Sequence, residues 1–241
     1  MILDISNVSK RFGGLVALNQ VNMQVEAGQI FGLIGPNGAG KTTLLNVISG
    51  VYGPNGGSVR FSGQDIVGLS PEAVCRRGIA RTFQISQPFP RMTALNNVRV
   101  AAVFGHATPA ADSRALASEM LDFVGFPMPK DTVALSLNTA HLKRLDMARA
   151  LASLPKLLLL DEVASGLTPA ELAEVMKLIF KIRDKGITII AIEHVVKMIM
   201  GICDRIAVLD HGEKIAEGTP QEIARDPRVI KAYLGEQPVA A

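Results

Sequence analysis

Residues 30–45 read IFGLIGPNGAGKTTLL, and the fold turns on this stretch. Gln29–Ile34 is a short apolar run of the kind that forms a strand buried on both faces, as in a parallel sheet covered by helices. It runs straight into Gly35, Pro36, Asn37, Gly38, Ala39, Gly40, Lys41 and Thr42, which fit G-x-x-x-x-G-K-[ST]. From Lys41 onward Leu44, Leu45 and Ile48 share one helical face, and Gly50 supplies a stop. A strand, this loop and a helix in succession are the context that a phosphate-binding loop requires. The glycines let backbone N–H groups wrap phosphates, and the helix N-terminus adds the positive end of its dipole. Lys41 is placed for the β- and γ-phosphates, Thr42 offers its hydroxyl to Mg²⁺, and Thr43 completes the run. The prediction is a chain that binds ATP or GTP.

A second stretch, LLLLDE at 157–162, reads as another buried strand, here ending in two acids. A buried carboxylate is costly unless something pairs with it. In open parallel sheets ligands gather at the carboxyl ends of the strands. Asp161 is therefore expected to serve Mg²⁺, and Glu162, pointing elsewhere, to orient or deprotonate an attacking water. A third strand, GITIIAIE (186–193), ends at His194, so three strand ends are expected to converge on one nucleotide. His106 and His211 read as loop and turn residues.

Around these anchors, Val21, Met23 and Val25 alternate with polar residues as a half-exposed strand, and Ser58–Ser62 follows the GPNGG turn as another. Strand character fades over roughly 90–153. There TALNNVRVAAVF, ADSRALASEMLDFVGF and HLKRLDMARALA show helical spacing. A helix is predicted from Pro169 to Lys185 and another from His194. RIAVLD-HG-EKIAEG reads as a hairpin, with short helices to Tyr233. The expected fold is α/β, one domain over 1–241 with an N-terminal antiparallel β portion. Residues 85–153 form an inserted helical subdomain, and 204–241 a C-terminal hairpin with short helices.

Composition narrows the function. The 25 basic and 22 acidic residues give a net charge of +3 with no long like-charge block. Trp is absent and there are 2 Tyr, so neither a basic stripe nor stacking platforms for bases are on offer, and no nucleic-acid partner is expected. Cys75 and Cys203 match no metal spacing and read as reduced thiols. MILDISNVSKRF lacks a signal-peptide pattern, and no apolar run reaches the roughly 18 residues of a membrane span. A cytoplasmic chain that meets a membrane through a partner is the expectation.

With GPNGAGKTT, LLLLDE and a histidine some thirty residues later, the chain resembles the nucleotide-binding subunits of ABC transporters over essentially its whole length. The resemblance implies several further assignments. Gln84, ending IARTFQ, is the glutamine that senses the γ-phosphate and Mg²⁺. SGLTPAE is the loop following the two acids, and His194 is the switch histidine. Phe12 lies on the adenine ring. RTFQ, MARALASLPKLLLLDE and EGTPQEIARDPRVIKAYLGE are similar to ATP-binding subunits of branched-chain (hydrophobic) amino-acid uptake systems. Such subunits sit peripherally on the cytoplasmic face of the membrane. They pair with a second ATP-binding subunit and two transmembrane permeases, with an extracytoplasmic binding protein supplying substrate. One departure stands out. Where the family has LSGGQ, this chain has Leu137, Asn138, Thr139, Ala140 and His141. Asn138 suits a helix N-cap whose amide also donates to phosphate, but the Cβ atoms of Thr139 and Ala140 limit close approach to a partner's nucleotide. Residues 138–141 are expected to contact that nucleotide in trans. The alternative implied is a regulatory subunit that binds ATP and scarcely hydrolyses it. Residues 85–104, with Phe89, Pro90 and Met92 exposed, are expected to dock a permease.

Overall fold

The computed structural model describes residues 1–106 and 112–234. Along the chain run β1 (Leu3–Phe12), β2 (Leu15–Val25), β3 (Ile30–Ile34), α1 (Lys41–Ile48), β4 (Gly56–Phe61), β5 (Gln64–Asp65), α2 (Pro71–Arg76) and β6 (Ile79–Arg81). They are followed by α3 (Ala94–Phe104), α4 (Ser113–Phe123), α5 (Thr139–Ala152), β7 (Leu157–Asp161), α6 (Pro169–Asp184) and β8 (Thr188–Ile192). The chain closes with α7 (Val196–Ile202), β9 (Arg205–Asp210), β10 (Glu213–Gly218), α8 (Pro220–Ile223) and α9 (Pro227–Leu234). These elements gather into two compact units. One is Met1–Gly68 with the described residues from Thr188 on; the other is Leu69–Ile187.

In the first unit an antiparallel sheet has the order β2-β1-β4-β5. Val21, Met23 and Val25 are buried while the residues between them are exposed, as their alternation requires. β1 escapes the alternation rule for a local reason. Ile5 faces Met23 and Val8 faces Val21, so β1 carries one extra residue there, a bulge with Asn7 at φ 51°. Leu3, Ile5 and Val8 therefore share the buried face without an even period.

The same unit holds β3 between β8 and β9, parallel to both, with β10 antiparallel on β9. Every residue of β3 and β8 is buried, which explains their unbroken apolar sequence. The Ile30 N–H donates to Asp204 Oδ2 at 2.8 Å and secures the start of β3. Helix α7 begins at Val196, with Val195 before it, so His194 lies ahead of the helix rather than at its first residue.

In the second unit β6 and β7 pair in parallel, Arg81 opposite Leu159. Three residues were too few for a sequence pattern to reveal β6. Helices α3, α4 and α5 pack on one another. Helix α5 buries Leu145, Asp146, Met147, Ala148, Ala150, Leu151 and Ala152, more than one stripe, so it is a central helix of its unit.

Candidate functional site

The phosphate loop is shaped by what surrounds it. Gly35 has φ 149°, and a Cβ there would run into the Leu209 carbonyl. Gly40 has φ 101°, and its Cβ would lie 2.6 Å from the Ala17 carbonyl oxygen. Only glycine fits at either end, so the loop is held in place between β9 and β2. Lys41 is buried, and its Nζ donates to the Gly35 and Pro36 carbonyls at 2.7 and 2.8 Å. Those carbonyls offset the cost of burying an ammonium group. Thr42 is exposed and Thr43 half-buried at the first turn of α1.

Pro36, Asn37, Gly38 and Ala39 also form one wall of an open cavity of about 730 Å³. His211 and, on α9, Arg228 and Lys231 form others. Burial pushes the Tyr233 phenol above its ordinary pKa. Register sets where His194 lies: Leu33 is opposite Ile192, so two residues on Gly35 and His194 occupy neighbouring strand ends. Glu193 is buried and His194 exposed. Phe12 packs edge-on against Tyr52 at 5.2 Å, with Lys10 Nζ 5.2 Å from its ring.

In the second unit the two acids have separate partners. Asp161, buried at the end of β7, accepts from Arg81 Nη2 at 2.7 Å, and its N–H donates to Thr82 Oγ1. Glu162 turns away with φ 51°, a backbone region that costs a non-glycine residue, and its Oε2 accepts from Gln84 Nε2 at 2.6 Å. Gln84 thus meets Glu162. Farther along the chain a capping box, Thr168 with Glu171, starts α6.

Asn138 caps α5 as its residue type predicts, its Oδ1 accepting the His141 N–H at 2.9 Å. Thr139 is exposed, and Ala140 and His141 are half-buried. Asn138, Ala140 and His141 border a cavity of about 250 Å³ with Val163, Leu167 and Glu171. Asp146, deep in α5, pairs with Arg149 at 2.8 Å, and burial raises its carboxyl above the usual range. Arg149 also donates to the Gln87 carbonyl and lies 5.8 Å from the Phe89 ring, while Phe89 and Met92 stay exposed.

Sequence reasoning passed over Arg81, Lys143, Tyr52 and Tyr233. Arg81 was findable, since a buried acid demands a cation and IARTFQ holds the nearest one to the glutamine assigned beside it. Lys143 binds main-chain groups, which leave no mark in a sequence pattern.

Residues 18–165 match the family described as ABC transporter, and 213–238 match that of branched-chain amino acid ATP-binding cassette transporters. The chain is 40% identical to the high-affinity branched-chain amino acid transport ATP-binding protein BraF of Pseudomonas aeruginosa, over 98% of both chains. It is 40% identical to the corresponding protein LivG of Escherichia coli over the same shares. A crystal structure of a nucleotide-free ATP-binding cassette from an ABC transporter superposes with TM-score 0.89 at 31% identity, covering 98% of this chain and 99% of that one. A dimeric, post-hydrolysis cassette, MJ0796 bound to ADP and Pi, gives 0.83 at 26% identity, covering 91% and 99%.

Proposed function

This chain belongs to the ABC transporter family, and from that premise we propose that it hydrolyses ATP to power an importer of branched-chain or other hydrophobic amino acids. The observation that carries the reading is end-to-end similarity to BraF and LivG, both described as high-affinity branched-chain amino acid transport ATP-binding proteins. A second ATP-binding subunit, two permeases and an extracytoplasmic binding protein complete the assembly. The chain sits peripherally on the cytoplasmic face of the membrane. No helix among the described residues is long and apolar enough to cross it.

ATP enters with its phosphates on the N–H groups of Gly35–Lys41 and its adenine against Phe12. Lys41 exchanges two neutral carbonyl acceptors for phosphate oxygens, and the charge-assisted bonds it gains are stronger. The Thr42 hydroxyl, the Gln84 carbonyl and the Asp161 carboxylate are hard oxygen donors that suit Mg²⁺, which neutralises charge on the β- and γ-phosphates when bound. Arg81 donates to Asp161 Oδ2 and so fixes the orientation of that carboxylate. Glu162 accepts the proton of the water that attacks the γ-phosphorus as the β–γ bridging bond breaks, and His194 steadies the γ-phosphate. Residues 138–141 approach the nucleotide of the facing subunit, with the Asn138 amide hydrogens as donors, its carbonyl being used by the cap.

The test is labelled-leucine uptake in cells carrying this chain as their only copy, alongside ATP turnover of the purified chain. Lys41→Ala abolishes both, and Glu162→Gln keeps nucleotide binding while slowing turnover by about 10²–10⁴-fold. Uptake unaffected by Lys41→Ala refutes the importer reading.

A further inference from the structure

Lys143 lies in the second turn of α5 and reaches across to the loop after β7. Its Nζ donates to the Val163 carbonyl at 3.0 Å, to the Glu162 carbonyl at 3.4 Å and to the Ser165 carbonyl. Three carbonyls of one short loop therefore converge on one ammonium group. That loop needs an anchor. Glu162 holds a left-handed backbone at φ 51°, and a residue so placed persists only when its surroundings over-determine it. Apolar packing supplies part of the constraint, since Val163 and Ala164 are buried, but Ser165 is exposed and Val163 and Leu167 border the 250 Å³ cavity that Lys143 also lines. Two turn bonds inside the loop are long, Ser165 N–H to Glu162 O at 3.3 Å and Leu167 N–H to Ala164 O at 3.2 Å. Charge-assisted bonds from a lysine are stronger than neutral ones.

We propose that Lys143 is a positioning residue for ATP hydrolysis: it pins the 162–165 loop from α5, so that the Glu162 carboxylate stays where Gln84 meets it and where the attacking water must be activated. The proposal rests on Glu162 being the group that handles that water. It also links the altered 138–141 segment to catalysis, since both ride on α5, one turn apart. A shift of the first turns of α5 reaches the Glu162 main chain through Lys143.

A mutant cycle on the full-length chain tests this, reading ATP turnover, affinity for a fluorescent ATP analogue and the thermal midpoint. Lys143→Met keeps the aliphatic stem and removes the donors. It lowers kcat by about 10–100-fold, the scale of a catalytic group misplaced by about 1 Å, with nucleotide affinity changed less than about 2-fold. Lys143→Arg restores most of the rate. In the Glu162→Gln background Lys143→Met has almost no further effect, because there is no longer a base to position. Should Lys143→Met fold poorly, Lys143→Gln, which keeps an amide donor, takes its place and falls between wild type and Glu162→Gln. Equal losses in the two backgrounds, or a loss of affinity instead of kcat, overturn the proposal. Wild-type turnover in Glu162→Gln overturns the reading beneath it, and is recognisable as such because that variant leaves Lys143 intact.

Discussion

Replacing Arg81 with leucine should unpair Asp161, the buried acid at the end of β7. The side chains of Arg81 and Asp161 are only 9% and 5% exposed, and their charged atoms are 2.7 Å apart. At an effective dielectric near 20, Coulomb attraction at that distance is about 6 kcal/mol. Most of it offsets the desolvation of both groups, so the intact pair adds little net stability. Removing one partner is different, because the remaining charge keeps its desolvation cost without compensation. The expected loss for Arg81→Leu is about 3–5 kcal/mol. For a chain of this size that corresponds to a fall of roughly 6–20 °C in the thermal midpoint. Adding Asp161→Asn removes the stranded charge, and most of the loss should return. The part that does not return belongs to other contacts of Arg81, such as the Phe83 ring 5.3 Å away. The assay is thermal unfolding by circular dichroism without nucleotide or Mg²⁺, which keeps hydrolysis out of the measurement. A single mutant within about 3 °C of wild type, or a double mutant no more stable than the single, would refute the reasoning.

Three further outcomes are expected. Asn138→Ala removes the cap of α5 and costs about 1 kcal/mol, whereas Asn138→Ser stays close to wild type, as thermal midpoints will show. Burial pushes the Cys203 thiol up to about 12, so at pH 8 iodoacetamide should leave Cys203 unmodified in native protein and alkylate it after denaturation, read by mass spectrometry. Burial also raises the Asp146 carboxyl above its ordinary 3.8, so the native state binds more protons than the unfolded one as pH climbs from that value. Stability relative to Asp146→Asn should therefore be greatest at low pH and decline through that window; a constant difference across paired pH melts would exclude the effect.

The sequence by itself determined several elements whose signal is local, though it left α2 unread despite its Ser70 cap and Pro71. The glycines of the phosphate loop, the buried runs of β3, β7 and β8, and the Asn138 cap each depend on residues a few positions apart. Their spacing is therefore the cause of their structure. The tertiary structure decided what depends on contact between distant segments. β1 hid behind a bulge that only its pairing with β2 makes visible. Arg81 and Asp161 are eighty positions apart and meet only because β6 and β7 pair in parallel. Lys143 grips carbonyl groups, which every residue carries, so no residue type announces its targets. A sequence names side chains, but the backbone groups they hold are identical along the chain, and only the fold says which of them lies within reach.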